Sequence, residues 1–287
     1  MNKYSKEGNN YEKTFLLALS LILMTTVGCS NKNDGGTKLQ EIKDKSVITM
    51  ATSPDFGPYE FMDLNKTGED AIVGCDVELG KFIAKEIGVD IEIIPMDFKS
   101  CQAAVSVGKV DFSISGYAKT PEREESMECS DLFLWESPTE KSQGLIVLKK
   151  NADELSTKDG FANKKIGAQN GSLQINLTES QLPDAQIEFI SSINDGVMML
   201  LNGKIDALAS SYETGEQFCK NYDELVMSEF VFEDTTEDGN VVLAPKGETA
   251  LMEEINKAIK KAKDEGYMDK WLAESKELCD SLGIEVN

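Results

Sequence analysis

Val107-Gly108-Lys109-Val110-Asp111-Phe112-Ser113-Ile114-Ser115 ends a helix, turns on a glycine, takes a basic-apolar-acid step and enters a buried strand. Asn202-Gly203-Lys204-Ile205-Asp206-Ala207-Leu208-Ala209-Ser210 repeats that order downstream. Joints of this kind are common, so the echo gains weight only from what surrounds it. Upstream of the first copy, Val47–Ala51 has strand length and Ser53–Tyr59 carries turn chemistry. Cys75, Leu79, Phe82, Ile83 and Ile87 recur at helical spacing before Gly88, Val89–Ile94 alternates as a strand, and Phe98–Val107 reads as a helix. The second copy has the same setting. Lys165–Ala168, Gln186–Ile190 and Ile205–Ser210 read as strands, Gly171–Gln181 and Ile193–Leu201 as helices. Glu248–Leu278 is helical by period, broken at Gly266. Alternating strands and helices in two similar runs predict two α/β lobes, each a largely parallel sheet covered by helices.

Composition narrows the chemistry. The 287-residue chain has 29 basic and 51 acidic residues, a formal charge of −22, and no histidine. Such an anionic surface repels nucleic acid and anionic lipid. Without histidine there is no Ser-His-Asp triad, no usual general base and no usual zinc ligand, and no metal or cofactor is expected. Cys75, Cys101, Cys129, Cys219 and Cys279 form no CxxC pair. The first three occupy apolar slots and read as small core residues, with room for one stray disulfide.

The N-terminus reads as an export signal. Lys3, Lys6 and Lys13 precede the apolar run Phe15–Met24, too short to span a bilayer comfortably. Thr25-Thr26-Val27-Gly28-Cys29-Ser30 follows and resembles a bacterial lipobox, with Thr26 where leucine is usual. That resemblance implies cleavage after residue 28, diacylglycerol on the Cys29 thiol, and a lipid-anchored protein on the outer face of the cell membrane. A polar, glycine-rich tether over 29–44 would hold the folded body off the bilayer.

The motifs of the body are specific in combination. They are Phe56-Gly57-Pro58-Tyr59-Glu60-Phe61, Gly74-Cys75-Asp76-Val77-Glu78-Leu79, Pro95-Met96-Asp97-Phe98, Ile114-Ser115-Gly116, Thr120-Pro121-Glu122-Arg123, Lys165-Ile166-Gly167-Ala168-Gln169-Asn170-Gly171-Ser172 and Pro245-Lys246-Gly247. Their order, over about residues 45 to 275, resembles the family-3 extracellular solute-binding proteins, the polar amino acid group. The resemblance implies a two-lobe type II periplasmic-binding-protein-like α/β fold with a ligand cleft between lobes joined by two crossings. Lobe one would take residues 45–138 plus 241–287 and lobe two 139–240, with crossings near Ser137–Gln143 and Glu237–Val242. It also implies a monomeric receptor that passes an amino acid or similar small carboxylate to ABC permease subunits, without catalysis.

The resemblance places the ligand carboxylate on Arg123, in the first turn of a helix capped by Thr120. A guanidinium there can grip it with two parallel hydrogen bonds. The alternative for a lone arginine is a surface pair with Glu122 or Glu124. Ser115, Gly116 and Ala118 would meet the ligand through backbone and hydroxyl, Tyr117 would line the cleft or pack, and Phe56 would stack over the ligand. Gly171 and Ser172 would offer helix-start amides, and Gln169 would set side-chain selectivity. The acids by which the family neutralises an α-ammonium fall at Ser53 and Ser211, both uncharged. Glu213, Asp55 or Glu60 could substitute, Glu213 being nearest in sequence to Ser211. Two other classes remain open on the same fold: a dehydratase-like enzyme and a ligand-sensing module.

Overall fold

The computed structural model describes residues 37–133, 135, 142–237 and 239–282. The export signal, Cys29, the tether up to residue 36 and most of the first crossing lie outside the described residues.

The first run of elements is α1 (Lys38–Lys45), β1 (Val47–Thr52), β2 (Asp55–Phe56), β3 (Glu60–Met62), β4 (Ile72–Val73), α2 (Cys75–Ile87), β5 (Asp90–Pro95), α3 (Phe98–Ser106), β6 (Phe112–Ser113), α4 (Pro121–Ser126) and β7 (Met127–Cys129). The second is β8 (Gln143–Leu148), β9 (Lys165–Gln169), α5 (Leu173–Gln181), β10 (Gln186–Ile190), α6 (Ile193–Leu201), β11 (Ala207–Ser211), α7 (Tyr212–Asn221) and β12 (Leu225–Val231). The chain then returns through β13 (Leu243–Pro245), α8 (Thr249–Asp264) and α9 (Tyr267–Leu282).

One five-stranded sheet has the order β5-β1-β6-β13-β7, the other β10-β9-β11-β8-β12. In the first, β1 pairs parallel to both β5 and β6, and the returning β13 runs antiparallel to β6 and β7. In the second, β9 pairs parallel to β10 and β11, and β8 runs antiparallel to β11 and β12. Strand order therefore reverses around β1 in one lobe and around β9 in the other. Those reversals are where an open α/β sheet leaves a crevice at its strand carboxyl ends.

Apolar periodicity explains the packing. The α2 positions Val77, Leu79, Ile83 and Ile87 face Ile255, Ile259 and Ala262 of α8, with Trp271 and Leu272 of α9 completing that core. In the second lobe, Ile193, Val197 and Leu200 of α6 pack with Ile146, Leu208 and Phe218. Cys279 of α9 and Phe61 of β3 join this second-lobe core, so the chain's last helix touches both lobes.

Three expectations change. The tether does not reach residue 44: Thr37 caps α1, and Ile42 is buried, because α1 finds an apolar seat near α8. The strands expected at the end of Val107–Ser115 and over Ile205–Ser210 are shorter or shifted, at Phe112–Ser113 and Ala207–Ser211, because the residues before them belong to the glycine turns. Cys75 and Cys101 are fully buried as expected, whereas Cys129 is only partly so, on the short β7. All five described cysteines are free thiols. No helix among the described residues is long and apolar enough to cross a membrane.

Candidate functional site

β2 and the residues after β6 on one side, and the carboxyl ends of β9 and β11 on the other, line a cavity of about 200 Å³. Drug-sized sites run to ~300–1,000 Å³, so the space suits a single small solute. Phe56, Ser115, Gly116, Ala118, Arg123, Gln169, Ser172, Ser211 and Glu213 all line it. Tyr117 and Gly171, also singled out from the sequence, do not; Tyr117 packs beneath, with no exposed surface.

Arg123 lies in α4, whose first turn carries Pro121 and whose Thr120 hydroxyl accepts from the Arg123 amide at 3.4 Å. The side chain turns inward and is 5% exposed. Its carbon Cζ sits 5.2 Å from the Tyr117 ring centroid and 5.6 Å from that of Phe98, so the cation is bracketed by aromatic faces. Nε donates to Gln102 Oε1 at 3.2 Å, Nη1 to the Ala118 carbonyl at 2.6 Å and Nη2 to the Gly171 carbonyl at 3.2 Å. Burial pulls its pKa below the usual value. No carboxylate of a described residue pairs with it. The alternative surface pair with Glu122 or Glu124 does not form, and Glu124 instead meets Lys119 at 3.1 Å. A buried cation without a counter-ion is costly, and a solute anion in the adjoining cavity would offset that cost.

Opposite, Ser172 precedes α5 but its hydroxyl does not cap the helix. Its Oγ is buried in the cavity wall without a hydrogen-bond partner among the described residues. Such an orphan is rare unless a ligand or water completes it. Together with the amides at the start of α5 it forms a second anion-favouring surface facing Arg123.

Gly116 holds φ at +59°, and a Cβ there would come within 2.9 Å of the Phe56 ring. The glycine thus allows both the turn after β6 and the close approach of Phe56, which stacks on Tyr59 at 5.5 Å.

Buried carboxyls back this wall. Gly116 N and Trp135 Nε1 donate to Asp76 at 2.9 and 2.7 Å, while Ser115 Oγ donates to Glu60 at 2.8 Å. Burial, then the Asp76 charge, pushes Glu60 well above the usual carboxylate range, and burial raises Asp76 as well. The motifs carried both acids, but only the fold brings residues 60, 76 and 115 together.

The lobes are closed on one another. Asp55 accepts from Gln169 Nε2 and the Ile193 amide of the second lobe, and Thr214 Oγ1 donates to the Gly57 carbonyl at 3.2 Å. Glu213 lines the cavity, yet its carboxylate is held by the Tyr59 hydroxyl and by Lys276 of α9, the latter at 2.8 Å. Ser211 caps α7 by accepting from Thr214 N at 3.3 Å, which explains a hydroxyl at that position. Sequence reading missed Gln102, which turns its carbonyl to Arg123 and its amide to Gly171, and missed Asp234 and Glu237 on the cavity rim. None of the three stands in a motif, so only the tertiary arrangement reveals them. No group of three or more potential metal ligands occurs among the described residues.

Known proteins resemble this chain in sequence and fold. The arginine-binding extracellular protein ArtP of Bacillus subtilis (strain 168) is 31% identical over 258 residues, covering 89% of this chain and 94% of its own. A probable histidine-binding protein of Campylobacter jejuni is 29% identical, covering 89% and 94%. The amino acid ABC transporter substrate-binding protein AbpA of Streptococcus pneumoniae, solved bound to L-arginine, superposes with a TM-score of 0.76 at 30% identity, covering 86% of this chain and 99% of that one. The pattern of the bacterial extracellular solute-binding proteins, family 3, matches residues 48–274, and with two lobes closed over a small cavity of this kind the chain belongs to that family.

Proposed function

We propose that this chain is the capture subunit of an ABC importer for an amino acid with a cationic side chain. The observation that carries the reading is Arg123, a buried guanidinium in the cavity wall with no carboxylate partner among the described residues. It would clamp the solute carboxylate, with the Ser172 hydroxyl and the α5 amides on the far side. Phe56 would cover the solute, and Ser115, Gly116 and Ala118 would meet its polar groups. The rest of the lining adds one sign of charge. Asp234 and Glu237 are acidic, and Glu213 is acidic but paired with Lys276, against Arg123 as the lining base. That balance favours a net cationic solute with one carboxylate, and ArtP and AbpA are named or solved with arginine.

Closure follows from the cross-lobe contacts. A solute that touches both walls only when they meet shifts the lobes toward the closed form, which would dock on the permease. The reading includes lobes at 45–138 plus 241–287 and 139–240, a monomer, and a lipid on Cys29 that keeps it on the outer face of the membrane. Capture rather than turnover is proposed, in keeping with relatives named as binding proteins.

The test is calorimetric titration with the proteinogenic amino acids. Saturable binding of arginine or lysine, with neutral amino acids far weaker, is expected. Tight binding of a neutral amino acid alone would refute the solute class, and turnover of a ring acid would refute capture.

A further inference from the structure

Gln169 ends β9 and lines the cavity. Its Nε2 lies 2.9 Å from Asp55 Oδ2, and the same Oδ2 accepts from the Ile193 amide at 2.7 Å. The other carboxylate oxygen accepts from Ser53 Oγ at 2.8 Å. With Asp55 ionised, Oδ2 can only accept, as it does from the Ile193 amide, and an amide oxygen of Gln169 beside it would face oxygen with no proton between them. Chemistry therefore decides which way the amide is turned. The nitrogen also reaches the Ser191 carbonyl at 3.4 Å, so both N–H groups point to protein acceptors. Oε1 is left without a hydrogen-bond partner among the described residues, on a side chain that forms the cavity wall.

We infer that Asp55 is a positioning residue: it turns the Gln169 amide so that Oε1 faces the solute, making this part of the wall an acceptor for a cationic N–H donor. The inference rests on the reading of the solute as a cation-bearing amino acid. It also accounts for the neutral residues where acids were expected. Ser53 Oγ is spent on Asp55, Ser211 Oγ is spent capping α7, and the negative charge reaches the cavity indirectly, through an amide polarised by a buried carboxylate. The donor is either the solute's α-ammonium or its side-chain cation, and two analogues separate these sources.

Affinities of arginine, of citrulline (whose side chain is uncharged) and of des-amino arginine (which lacks the α-ammonium) are measured by calorimetry on the full-length protein in detergent micelles. Asp55→Ala should narrow the preference for arginine over one of the two analogues by about tenfold, the worth of one hydrogen bond to a charged group. The citrulline comparison moves if the donor is the side chain, and the des-amino comparison moves if it is the α-ammonium. Asp55→Asn should restore most of the preference, because its amide oxygen can still accept from Gln169 and Ile193 while its nitrogen faces Ser53. Gln169→Leu should narrow the same preference, and the double variant should add little to either single change. Equal weakening of all three ligands in Asp55→Ala would overturn the inference and leave Asp55 as a contact that merely holds the lobes together. A wild-type protein that binds none of the three would remove the cationic-solute reading, and the inference with it.

Discussion

Arg123→Met is the perturbation whose size can be worked most directly. A guanidinium has five N–H donors, and Gln102, Ala118 and Gly171 take three, which leaves two for a solute carboxylate. Hydrogen bonds to a charged group contribute ~1.5–3 kcal/mol each, so the pair is worth about 3–6 kcal/mol. That corresponds to about 10²–10⁴-fold in Kd. No reduction for solvent screening applies, because the side chain is only 5% exposed. Unliganded stability should change much less. The cost of burying the guanidinium disappears along with its three hydrogen bonds, and these oppose each other. Arg123→Lys keeps a charge but loses the planar fork, and should fall between the two. Calorimetric titration with arginine, paired with melting of the free protein, separates the effects. A Kd within about threefold of wild type in Arg123→Met, a difference of only about 0.7 kcal/mol, would refute the carboxylate clamp.

Other outcomes follow from the same contacts. Burial pushes Asp55 up to about 6 and raises Glu60 and Asp76, so the folded protein holds protons that the unfolded chain has released. Stability should therefore be greatest in mild acid and decline as pH rises through about 4 to 6. Asp55→Asn should flatten part of that decline in melting curves, and an unchanged pH profile would refute the assignment. Lys276→Met breaks a partly exposed pair with Glu213 across the lobes, which is worth ~1 kcal/mol or less. It should weaken all ligands alike, up to about fivefold in titrations, through the closing equilibrium. A change in ligand preference would instead place Glu213 on the solute. Gly116→Ala forces a side chain into a +59° backbone and against Phe56, and should weaken binding by ~1 kcal/mol or more in the same titrations.

How much could be read in advance depended on the range of the interaction. The helix start at Arg123 was legible because it is local, Thr120, Pro121 and Arg123 being neighbours in sequence, whereas its role came from the resemblance. Gly116, Ser115 and Phe56 came from the family resemblance, carried by short motifs at a strand end and in a loop rich in proline and glycine. Gln102 was not legible, because nothing around it in α3 indicates that its amide will meet Gly171, 69 positions away. Asp55 was weighed only as a direct partner for an ammonium. Its hydrogen bonds to Gln169 and Ile193 cross 114 and 138 positions, and closure of the lobes makes them.

By itself the sequence determined the class of fold, the two-lobe order and the short motifs, because strand and helix periodicity, glycine stops and capping residues act within a few positions of one another. Tertiary structure alone decided the burial of Arg123 without a counter-ion among the described residues and the nearness of Glu60 to Asp76. It alone decided that Glu213 would be held by Tyr59 and Lys276, and that the Gln169 amide would meet Asp55. Each of these depends on groups brought together from separate parts of the chain in a low-dielectric interior. Charge and hydrogen-bond strength there are set by neighbours in space rather than in sequence.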